Sequence, residues 1–219
     1  YAGTNTNDQE DVNYVRNGTV SSAYTSSAIG NSTAPNYGIT ALLNHRFHKH
    51  GRNISLNVNF SSSISNQYQN PTYDYTVGLP TAPTNQQIST YSRTNTLGTT
   101  LSYLEPVGKY SFLEFNYAFS HSSTVNSKET DVLDTTGTST NPYLTAFFPD
   151  SALSNDYNYT FTTNRFGLNY RYVQKKYNYT LGIAAQPAVL DGYSPLTGIS
   201  THVNTFNIIP TARYIYNFS

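Results

Sequence analysis

From Asn53 to Ile64 the chain reads N-I-S-L-N-V-N-F-S-S-S-I. Ile54, Leu56, Val58, Phe60 and Ile64 are apolar, while Asn53, Ser55, Asn57, Asn59, Ser61 and Ser63 between them are small and polar. A period of two held for a dozen residues makes one strand face greasy and the other wet. Soluble sandwiches also alternate, but their strands run to about 5–6 residues. Long strands with one apolar and one polar face are what a transmembrane β-barrel requires. The pattern therefore predicts an all-β, antiparallel barrel, with Ile54, Leu56, Val58 and Phe60 toward lipid and Asn57 and Asn59 toward the lumen.

Composition agrees. Charged residues make up 11% of the 219 residues, against about 25% in an ordinary soluble domain. Asn, Ser and Thr take their place, and the mean hydropathy is −0.49. Hydropathy cancels along a barrel strand because lumen and lipid residues alternate. No stretch approaches the roughly 18 apolar residues of a spanning helix. With 12 Lys and Arg against 12 Asp and Glu, scattered along the chain, there is no basic stripe for nucleic acid. Cys, Met and Trp are all absent, which excludes a disulfide framework. The chain opens Tyr1-Ala2-Gly3-Thr4 without an export signal, and is expected to be a piece of something longer.

Residues 1–36 read as polar loop with at most one strand. Residues 37–219 read as the transmembrane hairpins of one barrel domain, with no plug domain among them. Leu97, Leu101 and Tyr103 share one face of a strand that the turn Glu105-Pro106-Val107-Gly108-Lys109 reverses. Leu113, Phe115, Tyr117 and Phe119 alternate on the way back, and Phe112 breaks the parity, as a bulge or a lumen-facing ring would. Leu168 lies on the lipid face of the next strand, with Arg165, Asn169 and Arg171 on its lumen face. After the turn Val173-Gln174-Lys175-Lys176, Leu181 and Ile183 face lipid, and Arg213 joins the lumen row of the last strand. Long loops are expected at 68–90 and 123–156, and a shorter Gly/Pro loop at 187–202. Short and long connections alternate, as in outer-membrane barrels, whose tight turns face the periplasm. Tyr103, Tyr110, Tyr172, Tyr177, Tyr216 and Phe218 cluster beside the short turns, where an interfacial aromatic girdle belongs.

Three stretches look familiar together. They are Asn164-Arg165-Phe166-Gly167-Leu168-Asn169-Tyr170-Arg171-Tyr172, Tyr177-Asn178-Tyr179-Thr180-Leu181-Gly182-Ile183 with Gln186-Pro187, and Phe206-Asn207-Ile208-Ile209-Pro210 with the closing Arg213-Tyr214-Ile215-Tyr216-Asn217-Phe218-Ser219. In order and spacing they resemble TonB-dependent-receptor-like outer-membrane barrels of Bacteroidetes. The resemblance implies a barrel of about 22 strands, of which seven to eight are present here. It also implies a plug domain elsewhere, a periplasmic energy-coupling protein, and import of a bulky nutrient (glycan, peptide or chelate) across the outer membrane of a Gram-negative bacterium. A surface lipoprotein over the loops is a further partner it allows. The alternative is a complete small barrel, or a barrel with a structural or partner-binding role such as adhesion or secretion.

Candidate chemistry is sparse. Asp131, Asp134, Asp150 and Asp156 share one long loop and form the only candidate calcium ligands, without EF-hand spacing. His45, His48 and His50 crowd a turn with Arg46, Lys49 and Arg52, which reads as a cationic periplasmic anchor rather than a metal site. Asp134-Thr135-Thr136 and Asp150-Ser151-Ala152 resemble the O-glycosylation acceptor pattern of Bacteroidetes, at Thr135 and Ser151. Tyr157 and Tyr159 fit either sugar stacking or an outer girdle. No catalytic motif and no cofactor site is evident.

Overall fold

A computed structural model describes residues 3–79, 85–133 and 147–218. Strands β1 (Gly3–Arg16), β2 (Thr19–Thr33), β3 (Asn36–Arg46), β4 (Asn53–Val77) and β5 (Gln86–Pro106) are followed by β6 (Ser111–Leu133), β7 (Phe147–Pro149), β8 (Asn155–Val173), β9 (Tyr177–Tyr193) and β10 (Ser200–Tyr216). All pair antiparallel in one sheet of order β1-β2-β4-β5-β6-β8-β9-β10, with β3 beside β4 and β7 beside β6. Its two edges do not bond to each other, so the sheet is open.

Among the described residues there is no second layer. The only buried hydrophobic residues among those described are Ala23, Ala184 and Ala188, and the chain exposes 15092 Å². A soluble monomer of this mass would expose about 10,000 Å². Phe166 (55% exposed), Leu181 and Ile183 (both 54%) and Ile208 (63%) stand uncovered on one face. The residues lining a cavity of about 610 Å³, among them Thr100, Asn116, Asn169, Thr180 and Arg213, all lie on the other. Among the described residues nothing packs over the apolar face, unlike in a soluble sandwich, where a second sheet covers it.

Register carries the parity from β3 and β4 through to β10, while β2 shifts register against β1 at Tyr14/Val15 and against β4 at Ala23/Tyr24. Ile54 pairs with Tyr103, Leu56 with Leu101 and Phe60 with Leu97, while Asn57 pairs with Thr100 and Asn59 with Gly98. Farther on, Phe115 pairs with Leu168 and Leu168 with Ile183. Phe112 stays in register opposite Pro106 and Arg171, so it is a lumen-side ring and not a bulge. It lies against Gly51, where an added Cβ would come within 3.0 Å of the ring.

Residues 1–36 differ from expectation. Instead of loop they hold a hairpin, β1 and β2, closed by Asn17 (φ 52°) and Gly18 (φ 78°). Asn-Gly with both φ positive is the two-residue turn that matches strand twist. β2 and β3 lie end to end along β4, which pairs with β3 through Asn53–Ser63 and with β2 through Asn66–Val77. They are interrupted only at residues 34–35, and the Pro35 carbonyl accepts from the Ile64 amide at 2.9 Å.

The expected loops shrink for a related reason. β4 runs on to Val77 and β5 begins at Gln86, so most of 68–90 is strand; the same holds for 123–133 and for 187–193. Above the apolar band the outward residues turn polar, as at Asn66, Ser89 and Ser127, and alternation no longer marks a strand. Pro71, which cannot donate to a ladder, pairs with Ala28 of β2 and sits just beyond Gln69–Ile88, where the continuous pairing of β4 with β5 ends and a missing N–H costs least. Pro187 does break a ladder: Asn164 and Arg165 of β8 have no partner in β9 between Thr163–Ala188 and Phe166–Ala185.

The two faces give a direct test. Leu56→Arg places a charge in mid-band and, against hydrocarbon, costs roughly 2–4 kcal/mol, whereas Asn57→Arg points to the wet face. Heat-modifiable gel mobility of membrane fractions is expected to show assembly blocked by the first and preserved by the second; equal effects would refute the faces.

Candidate functional site

The wet face holds the candidate site, a cavity of about 610 Å³ over β5, β6, β8, β9 and β10. Its floor is low because glycines receive side chains from the next strand. Asn169 lies across Gly182, with Thr211 beside it, and Asn59 lies across Gly98. A Cβ at either glycine would collide with the amide. Arg165, Arg171 and Arg213 all line this cavity, so the structure brings the three expected lumen arginines onto one wall. Glu114 accompanies them, 3.6 Å from Arg171.

Farther from the short turns the same face changes character. Counting from Arg165 and Gly167 in steps of two puts Tyr157, Tyr159 and Phe161 on the inner face, and the pairings Phe161–Ser122, Tyr159–Thr124 and Phe161–Leu190 agree. Leu190 in turn pairs with Val203. The result is an aromatic ledge on an otherwise hydroxyl-rich wall. Tyr157 and Tyr159 lie 5.7 Å apart, and Tyr157 occupies the space over Gly192 that a Cβ would fill. Beside the ledge runs a ladder of paired polar groups: the Ser92 hydroxyl donates to Asn126 Oδ1 at 2.6 Å, and Thr94 and Thr124 share a bond of 3.0 Å. The inner position of Tyr157 and Tyr159 rules out the outer-girdle reading for these two. Phe161 had not been singled out in the sequence, although its odd number matches the parity of Arg165.

At the short-turn end of the other face the expected interface aromatics meet. Tyr172 stacks on Tyr177 (6.0 Å) and Tyr179 (5.1 Å) and contacts Tyr110 edge-on (6.2 Å). Phe47, Tyr103 and Phe115 form a second chain of rings, and Tyr216 meets Phe218 at 4.8 Å. Inside the apolar band the Tyr117 hydroxyl donates to Asn164 Oδ1 at 2.8 Å, which spares it an unpaired polar group.

One residue at this end escaped the sequence reading. Glu105 accepts from Lys49 Nζ (2.6 Å), from Arg52 Nε and Nη2 (2.7 and 2.8 Å) and from the Tyr103 hydroxyl (2.6 Å). The Arg52 bonds, then those of Lys49 and Tyr103, hold its carboxyl well below the usual range. The cationic turn at residues 47–52 is thereby tied to the next turn by a bidentate arginine, and it gathers no metal site. Among the described residues no three His, Asp or Glu side chains converge for a metal ion. Asp150 accepts the amides of Ala152 and Leu153 (2.8 and 3.3 Å) and so caps its own turn. That turn is pinned to β6, where Thr130 donates from its amide to Ser154 Oγ and from its hydroxyl to the Leu153 carbonyl. Asp131 faces Gln87 and Asp156 faces Ser127, while Asp134 and Thr135 lie outside the described residues. Ser151 is exposed at the long-loop end.

The sequence profile of the outer membrane protein beta-barrel family matches residues 45–219. The chain belongs to that family. Its place is the outer membrane. The fold is similar to that in the crystal structure of the ferric citrate transporter FecA in the unliganded form, with a TM-score of 0.50 and 8% identity. The match covers 90% of this chain and 26% of the transporter, so the chain spans about a quarter of that barrel protein's length. At this identity the likeness is one of fold. Comparison with curated proteins returns no match.

The Glu105 cluster yields a pH dependence. A depressed carboxylate pKa stabilises the folded state at pH values above its unfolded value of 4.5 and loses that effect as pH falls toward the folded value. Glu105→Gln is expected to lower the unfolding temperature in detergent at pH 7, with the gap from the parent protein narrowing below about pH 4. A gap that is constant with pH would refute the role of the charge.

Proposed function

We propose that this chain forms part of the wall of a TonB-dependent outer-membrane receptor that imports a bulky nutrient. The single observation that carries the reading is the inner face itself: a polar, glycine-floored wall on a sheet that stays open, surmounted by the ledge of Tyr157, Tyr159 and Phe161. A narrow complete barrel fills its interior with interlocking side chains, whereas Asn, Ser, Thr and Gly leave room for a wide aqueous one. In this reading Ile54, Leu56, Val58, Phe60, Leu168, Leu181 and Ile183 face lipid, and the rings at Tyr103, Tyr110, Tyr172, Tyr177, Tyr216 and Phe218 mark the periplasmic interface. Both open edges, one formed by β1 and β3 and the other by β10, continue into neighbouring strands of the same barrel. A plug domain gates the pore, a periplasmic energy-coupling protein drives it, and the outer loops accept ligand or a surface lipoprotein that delivers it. Aromatic rings flanked by hydroxyls and amides suit a ligand that offers both apolar patches and polar groups.

The test is growth of a deletion strain on glycans, peptides and metal chelates supplied singly. Import predicts loss of growth on one class, matched by a proton uncoupler acting on the parent strain. In the restored strain, Tyr159→Ala with Phe161→Ala is expected to cut uptake of that nutrient about tenfold or more, at roughly 1–3 kcal/mol per stacked ring, with normal assembly. Unimpaired growth on every class, with loss of surface binding alone, would favour a partner-binding barrel.

A further inference from the structure

Arg171 and Arg213 stand on one row of the inner wall. Arg171 of β8 pairs with Thr180 of β9, and Thr180 with Arg213 of β10. Two interstrand steps separate the arginine backbones by about 10 Å, with the Thr180 hydroxyl between them. All three line the cavity described above, as does Arg165 six residues along β8. The carboxylate in that lining is Glu114, which sits 3.6 Å from Arg171 and receives the Ser102 hydroxyl at 3.4 Å. Three guanidinium charges thus face one carboxylate. Among the described residues neither Arg165 nor Arg213 has an ion-pair partner. Elsewhere on this face Arg46, Lys128, Asp8 and Glu10 carry charge, but none of them lines the cavity, so the positive charge there is local and in excess.

We propose that the row Arg171–Thr180–Arg213 is an oxyanion-binding site, taking a carboxylate or phosphate group between the two guanidinium forks. Guanidinium matches such groups bidentately, and the hydroxyl and amide donors at Thr180, Thr211 and Asn169 complete a shell that water alone would otherwise fill. Charge complementarity selects the occupant. A sugar or an uncharged peptide gains only neutral hydrogen bonds from guanidinium charge in excess of its one carboxylate, while an anion gains a charge-assisted bond from each arginine. The oxyanion comes either from a dissolved ligand or from carboxylates of the same protein's interior, and the chemistry of the site is the same for both. The proposal needs the inner face to be wet but does not depend on transport, so loss of uptake and loss of anion binding are separate results.

The experiment is arginine modification by phenylglyoxal on the full-length protein in detergent, read by peptide mass spectrometry. Arg93, exposed on the outer face of β5, is the internal reference. A dissolved source predicts that citrate or inorganic phosphate, but not glucose, slows modification of Arg171 and Arg213 about tenfold relative to Arg93. In Arg213→Gln the citrate concentration that protects Arg171 should then rise about tenfold. An internal source predicts that both arginines resist the reagent with no anion added, and react like Arg93 once high salt screens the contact. The proposal is overturned if Arg171 and Arg213 react as fast as Arg93 under every condition, or if glucose protects them as well as citrate does.

Discussion

Everything in this wall follows from the backbone hydrogen bond. In hydrocarbon no water can satisfy an N–H or C=O, so each strand must find both of its neighbours in protein. That requirement explains why strands as different in composition as β5 and β9 share one continuous antiparallel ladder. It also explains why the sheet has no core. Stability comes from the ladder and from side chains touching along each face, and three small alanines are the only buried hydrophobic residues described. The two faces are then free to specialise, one for lipid and one for water, because neither is needed to hold the other.

The segments with one apolar and one polar face were legible in the sequence, and the reason is physical. Between Ile54 and Phe60, or between Phe166 and Tyr172, the bilayer imposes its own polarity on alternate residues, so a period of two appears in the letters. Past the bilayer both faces meet water and the signal disappears. That is why β1, β2 and the upper parts of β4 and β5 looked like loop, although their backbones continue the same ladder. Asn17-Gly18 carried a hairpin signal that its neighbours, lacking an apolar face, did not reinforce.

The site was less legible. The arginines could be assigned to a face by parity, but their association on one row depends on interstrand register, which one sequence does not contain. Tyr157, Tyr159 and Phe161 follow the odd parity of Arg165, and so belong inside; rings beside polar loop residues gave no reason to prefer parity over an aromatic girdle. Glu105 was read only as part of a reversing turn. Its partners, Lys49 and Arg52, lie more than fifty residues away in the sequence.

The height of the strands has a consequence for what the protein can meet. From Ser62 to Val77, β4 climbs beyond the apolar band; at about 3.3 Å per residue and a tilt near 40°, that lifts its upper end by about 40 Å. The membrane's outer leaflet is covered by its own headgroups. On the import reading proposed above, a mouth raised on such a collar opens above that layer, and a large solute reaches the ledge without first threading between the headgroups.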